Sequence, residues 1–532
     1  MSALSAWPAP PRLAPPGLVR SLGLEFRRSP VPYLLPLVAV FFYFDPMRTA
    51  DGYPPVWTVR ASIIDRDLLF AFSVFAGGIA AWTGAREGRR KTADLLATTP
   101  RAAWSRLAVA LAGTLCWLLL AFLACVAVLY VQTALRATWG GPPLWPVFVG
   151  VAGVTMATVL GFTCGAVFPG RFTAPLVALG LAVLFEIGFR AAGAVRASLG
   201  NHPLLSPRNA PLGVRVFHEL TSLTSGTYAL LSPMDGIPSV DAGTYYRVAP
   251  DLPIVQVMFM GGLAVALFGV LGLAAGLRAP GPAGGWLARL VAAVLVACGV
   301  AASWTGFALA GTAQLDAVAG GWEIPALHSA ASDQPITAPP DCTSAAGFQV
   351  CVDPALDFDL RSVAAELDPV AAEIAGLPGA PARAEEVSSI NGAKAGISGN
   401  PPAFEFSTDH VDTVNTQVDG DPDLTGWRTG FPPGLLDAFL AGPSPAAGLN
   451  PAQQAVEDAL LAAVGVQPPA QPLGGLRPAS ASAAAAASAA RQSEVSAAAR
   501  RFAALSAAAR HAWLATHLAA LRAGKITVAQ LP

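Results

Sequence analysis

Residues 107–131 read Leu107-Ala-Val-Ala-Leu-Ala-Gly-Thr-Leu-Cys-Trp-Leu-Leu-Leu-Ala-Phe-Leu-Ala-Cys-Val-Ala-Val-Leu-Tyr-Val131, twenty-five positions without one charged side chain. A helix of that length measures about 37 Å at 1.5 Å per residue, and a bilayer's hydrocarbon core is about 30 Å thick. A helix apolar on every side needs either a large protein core or lipid around it. The rest of the sequence favours lipid. Of the 532 residues 54% are hydrophobic and only 13% charged, and mean hydropathy is +0.52. Soluble domains hold about 25% charged residues.

Working outward, charge-lean apolar stretches of spanning length recur at 30–46, 67–84, 145–168, 172–190, 253–277 and 287–311. Pro32 and Pro36 interrupt the first, which membrane helices tolerate. Up to residue 311 the chain carries 22 Lys and Arg against 12 Asp and Glu; beyond it the counts are 11 and 22. A basic apolar half is thus joined to an acidic, more polar half. The predicted fold is an all-α polytopic membrane bundle of about seven transmembrane helices, followed by a C-terminal extracytoplasmic α+β domain. Net charge of −1 argues against a large nucleic-acid surface.

Basic residues set the orientation. Residues 1–29 carry Arg12, Arg20, Arg27 and Arg28 without the apolar core of a signal peptide, which predicts a cytoplasmic N-terminus. Loop 85–106 then holds Arg86, Arg89, Arg90, Lys91, Arg101 and Arg106 against Glu87 and Asp94. The outer loop 132–144 has only Arg136, and outer loop 45–66 balances Arg48, Arg60 and Arg66 with Asp45, Asp51 and Asp65. Seven spans place the tail outside, in a cell-membrane protein with a cytoplasmic N-terminus. Cys342 and Cys351, the tail's only cysteines, suit a disulfide closing a short hairpin in an oxidising compartment.

The predicted layout is a cytoplasmic segment 1–29, a membrane domain 30–311, a linker 312–340, an α+β domain 341–466, an Ala/Ser/Pro-rich linker or marginal helix 467–499, and a helical segment 500–532. Leu360, Val363, Leu367, Val370 and Ile374 follow 3-4-3-4 spacing, predicting an amphipathic helix. Asn450-Pro451 predicts a helix start, and residues 385–418 a β-rich stretch. Within the spans, Glu186 and Arg190 lie four apart and predict an intrahelical ion pair. No ladder of acidic or histidine residues marks a proton-coupled carrier.

The segment Arg86-Glu-Gly-Arg-Arg-Lys-Thr-Ala-Asp-Leu-Leu-Ala-Thr-Thr-Pro-Arg101 resembles the cytoplasmic loop between the second and third spans of ABC-2 type ABC transporter permeases. Glu87, Gly88, Thr92, Leu95, Leu96, Thr99 and Pro100 fill that family's pattern. Its physics is compatible: Thr92 can cap a helix, Asp94 suits its first turn, and Pro100 disfavours continuation at Thr99. Leu18, Leu22 and Phe26 fall on one helical face with arginines beside them, predicting a short interfacial helix that looks like the elbow helix of these permeases. The resemblance covers residues 17 to about 280. It implies a loop that docks on a cytoplasmic ABC ATPase subunit, a homodimer or a heterodimer with a second permease, and export. The seventh span and the tail depart from the family's usual six-span core, which leaves the substrate open.

The chain has no G-x-x-x-x-G-K-[ST] motif. Any ATP is therefore expected on a separate subunit, with no cofactor, metal or catalytic residue in this chain. His218-Glu219 lacks the second histidine of H-E-x-x-H, and His511 and His517 are six apart, off any shared helical face. The alternative reading is a membrane-anchored extracytoplasmic binding or sensor protein without transport activity.

Overall fold

The computed structural model describes residues 15–52, 55–89, 103–199, 250–278, 285–315, 322–328, 338–345, 347–387, 396–399, 401–406, 431–442, 449–466 and 482–532, with the single positions Leu230 and Ile336. Helix α1 (Pro15–Arg28) starts on prolines, whose missing N–H costs nothing in a first turn. Pro30 ends it by disfavouring helical backbone at Ser29. The chain bends by 54° into α2 (Val31–Phe42). There the Ser29 hydroxyl accepts the Val31 N–H at 3.3 Å. A π-turn at Tyr43–Met47, containing Pro46, follows and leads into α3 (Arg48–Gly52).

Helix α4 (Trp57–Ile63) runs through a second π-turn, Ile64–Leu68, into α5 (Leu69–Gly84) and a short α6 (Arg86–Arg89). After them come α7 (Ala103–Ala134), α8 (Trp145–Val167), α9 (Thr173–Leu199), α10 (Asp251–Arg278) and α11 (Gly285–Ala310). Among the described residues, α7, α8, Asp251–Leu277 of α10 and Trp286–Ala310 of α11 are each long and apolar enough to cross a membrane. The bent pair Arg20–Arg28 and Val31–Asp51 passes that test together.

Small residues let these helices approach closely, which is how packing holds helices together where lipid is as apolar as leucine. A Cβ on Gly161 would collide with the Gly77 carbonyl, and one on Gly165 with the Ala81 carbonyl, so α5 and α8 meet backbone to backbone. Between α10 and α11 the Gly262 position lies 2.7 Å, Cβ to O, from the Gly299 carbonyl. Helices α5 and α8 form the buried centre; α11 keeps Trp286, Leu290, Val294 and Trp304 exposed on its outer side.

Segment 45–66, expected as a loop outside the membrane, is helical over most of its described length. Arg60 is 1% exposed and Asp65 2%. Charge ends an apolar window, but packing of α4 on α7 and of the following π-turn on α8 shelters both. The Arg60 Nε donates to the Thr133 hydroxyl at 3.0 Å. Arg136 lies 3.6 Å from Asp51 at the same end.

Residues 312–340 are also more than a linker. Strands β1 (Gln314–Leu315) and β2 (Trp322–Glu323) pair antiparallel. Asp251, at the start of α10, accepts the Ile324 N–H at 2.8 Å and lies 3.8 Å from His328. Ile324 packs with Leu252, Val255 and Ala310.

The C-terminal part is a mixed sheet of five strands in the order β3-β4-β5-β7-β6. These are β3 (Asp341–Ala345), β4 (Phe348–Val352), β5 (Arg383–Glu386), β6 (Gly396–Ser398) and β7 (Ala403–Phe406). Gly347, at φ 92°, turns the β3–β4 hairpin. Cys342 pairs directly with Cys351 across it, and the two form a disulfide. Helix α12 (Leu360–Ile374) buries all five of the predicted residues Leu360, Val363, Leu367, Val370 and Ile374. Helices α13 (Phe431–Ala441) and α14 (Pro451–Ala463) follow, the latter with a capping box between Asn450 and Gln453.

The Ala/Ser-rich stretch is helical from Ser482 to Ala503 (α15), burying Val495, Ala498, Ala499 and Phe502. Of the two expectations, linker or marginal helix, the helix is found there, as alanine's helix propensity favours. Helix α16 (Ala507–Arg522) turns Leu514, Leu518 and Leu521 into the same core, and Arg510 pairs with Glu373 at 2.7 Å. The end of α15 and helix α16 therefore pack on the sheet domain.

Candidate coupling site at the basic end of the bundle

Helix α5 ends at Gly84, and α6 carries Arg86, Glu87, Gly88 and Arg89 into the loop singled out in the sequence. A brace forms here. The Arg86 guanidinium donates to both carboxylate oxygens of Glu25, at 3.1 and 3.2 Å. One residue on, Phe26 stacks on Trp117 of α7, ring centroids 4.2 Å apart. The Trp117 Nε1 donates to the Phe26 carbonyl at 2.7 Å, satisfying one of the orphan carbonyls in the last turn of α1. Gly113, one turn below Trp117, leaves room for the α1 backbone: its Cβ would lie 3.2 Å from the Glu25 carbonyl carbon.

The other side of the loop's root is held as firmly. A Cβ on Gly88 would collide with the Pro169 ring, so this glycine permits α6 to rest on the α8–α9 turn. The Arg89 guanidinium lies 3.4 Å over the Trp82 ring, and its Nη2 donates to the Trp82 carbonyl at 2.8 Å. Where the chain re-enters at α7, Trp104 packs against Phe268 of α10 at 5.4 Å. Arg289, at the start of α11, donates to the Gly276 carbonyl at 2.8 Å. Helices α1, α5, α6, α7, α10 and α11 and the α8–α9 turn therefore converge on one end, which bears Arg86, Arg89, Arg106, Arg171 and Arg289.

Of the predicted loop residues, Glu87 is half-buried and Gly88 exposed. Thr92, Leu95, Leu96, Thr99 and Pro100 lie outside the described residues. In α1, Leu22 and Phe26 are half-buried and Phe26 faces α7, so the apolar side packs on protein; Leu18 is helical, its side chain outside the described set. Glu186 is half-buried in α9, and the Arg190 side chain lies outside the described residues.

No family model, curated protein or solved structure matches the chain.

The opposite end carries the tail. Thr138, in the α7–α8 connection, donates to the Pro354 carbonyl at 2.6 Å, joining the bundle to the sheet domain. Within that domain His511 meets the Ala375 carbonyl at 2.9 Å and His517 stacks on Trp513 at 4.6 Å, both packing roles. Among the described residues no group of three or more His, Cys, Asp or Glu side chains could hold a metal ion. Glu457 on α14 is pushed up to about 8, first by burial and then by the charges of Asp437 and Asp458.

Sequence reasoning missed Glu25 and Trp117. A signal was present: Glu25 is the only acid in α1, and Trp117 the only aromatic in the first half of α7 after Trp104.

Proposed function

We propose that the chain is the membrane-spanning permease subunit of an ABC transporter of the ABC-2 type, working as an exporter driven by a separate ATP-binding subunit. Seven crossings, with the basic end in the cytoplasm and the disulfide-closed tail outside, complete the reading. ATP would be bound by the partner ATPase. Two permease copies, or this chain with a related one, would pair with two ATPases.

The observation that carries the proposal is the position of the Glu87–Pro100 motif. It is rooted on α6, where Arg86–Glu25, Phe26–Trp117 and Gly88–Pro169 tie α1, α5, α7 and α8 together. A push on a loop so rooted reaches four elements at once, as a coupling loop requires. Positive charge clustered at that end agrees with the cytoplasmic side.

The test is affinity purification of the full-length protein from mild-detergent extracts of its own membranes, beside a variant carrying Glu87→Arg, Leu95→Asp and Leu96→Asp. A Walker-motif ATPase that co-purifies with the native chain and is lost with the variant supports the reading. An intact, abundant protein that brings down no ATPase turns the assignment to the alternative, an anchored extracytoplasmic binding or sensor protein.

A further inference from the structure

We propose that the outer face of α1 is a binding surface for anionic phospholipid headgroups, with Arg20, Arg27 and Arg28 contacting the phosphates. Among the described side chains of α1 the exposed positions are Arg20, Gly23, Leu24, Arg27 and Arg28, a single stripe at helical spacing. The helix's only acid, Glu25, faces the other way into the Arg86 pair. No carboxylate among the described residues therefore neutralises the stripe.

The stripe also lies at the basic end of the bundle: α1 bends 54° from the following helix, and its last turn is held there by Arg86 and Trp117. Trp82, at the end of α5, and Trp286, at the start of α11, are 53% and 68% exposed at the same end. Exposed tryptophans mark the membrane–water boundary. Leu24, 47% exposed between the arginines, can enter the acyl border while the guanidiniums stay at the phosphates. Guanidinium matches phosphate through paired donors, and a negatively charged leaflet supplies the countercharge this face lacks.

The inference rests on the membrane placement in the proposed function and not on the ATPase partnership. Loss of the ATPase in the purification above would leave it untouched.

The experiment reconstitutes the full-length protein in vesicles of equal parts phosphatidylcholine and phosphatidylglycerol. It is then extracted in mild detergent, and the retained lipids are quantified by mass spectrometry. The native protein is expected to retain phosphatidylglycerol well above the bulk ratio. Each arginine near an anionic surface is worth about fivefold in affinity at low salt, so R20Q/R27Q/R28Q should lose at least about tenfold of the enrichment. R20K/R27K/R28K should keep most of it, and raising salt during extraction should erode it in the native protein. A native protein at the bulk ratio, or an enrichment that survives the glutamine variant or high salt, overturns the proposal. So does full displacement by millimolar glycerophosphate, which would mean a site for small anions.

Discussion

Trp117→Ala should free α1 from the bundle. The ring contributes a stacked contact with Phe26 at 4.2 Å and a hydrogen bond to its carbonyl at 2.7 Å. Truncating a fully buried tryptophan costs about 3–5 kcal/mol. Trp117 is half-buried, which brings the estimate to about 2 kcal/mol, of which about 1 belongs to the hydrogen bond. At 1.4 kcal/mol per decade, the detached fraction of α1 should rise by about thirtyfold. Trp117→Phe keeps a stacked ring and loses only the donor, so about fivefold is expected. Glu25→Gln breaks an ion pair whose side chains are 29% and 24% exposed; screened pairs of this kind are worth about 0.2–1 kcal/mol, so its effect should stay below about fivefold. Trypsin cleavage after Arg27 and Arg28 in the full-length protein reads the detached population when reclosing is fast. Cleavage rates within twofold of native for both tryptophan variants would refute the brace. A larger effect for Glu25→Gln than for Trp117→Ala would show that the ion pair, not the stacked ring, holds the helix.

Two further outcomes concern the tail. The Cys342–Cys351 bridge spans a separation of nine residues. The chain-entropy estimate is about 2.6 kcal/mol, lowered where a hairpin already orders the loop. Cys342→Ser with Cys351→Ser should lower the melting temperature of the sheet domain, followed by hydrogen exchange of β4 in the full-length protein, and unchanged exchange would contradict that. Non-reducing peptide mapping of protein from native membranes should find the bridge; free thiols there would place the tail in a reducing compartment. Glu457 is an acid whose folded value, about 8, lies above the usual glutamate value. The folded state therefore binds the extra proton between those values, and stability falls as pH rises from about 4.5 to 8. Glu457→Gln should flatten that slope and stabilise the domain at pH 8 by about 1–3 kcal/mol after allowance for solvent. A slope unchanged by the substitution would show that Glu457 is not its source.

The α-helical elements were legible wherever one period ran without interruption. The series from Leu360 to Ile374 is buried as its spacing required, despite Pro369 inside the helix. Asn450-Pro451 opened α14 with its side-chain cap in place. The strands were harder, because β5 to β7 are only three or four residues long and the partners of β5 (β4 and β7) are remote in sequence. The parallel pairing of β4 with β5 across α12 leaves no local mark. Alanine-rich α15 reads in sequence as either linker or marginal helix, because composition reports low complexity as readily as helix propensity. At the candidate site the motif was readable as an order of residues, but the brace was not, since Glu25 reaches Arg86 across sixty-one positions.

Segment 45–66 shows where charge misleads. Val56, Arg60, Ile64, Leu68, Phe72, Ala76 and Ala80 recur every four residues, and all are buried. Six of the seven are apolar, so the period itself continues the buried series of α5 by more than two turns before residue 67. A charge filter cuts that series at Arg60, Asp65, Arg66 and Asp67 because it treats each ionisable side chain as exposed. Burial in a bundle follows the helical face first, and a polar side chain on that face is kept when a neighbour can satisfy it. Thr133 does this for Arg60. The π-turn at Ile64–Leu68 widens the helix by one residue where Asp65 enters the core. Periodicity and partner were therefore better guides here than charge, and Arg60 belongs with the buried stripe of the bundle.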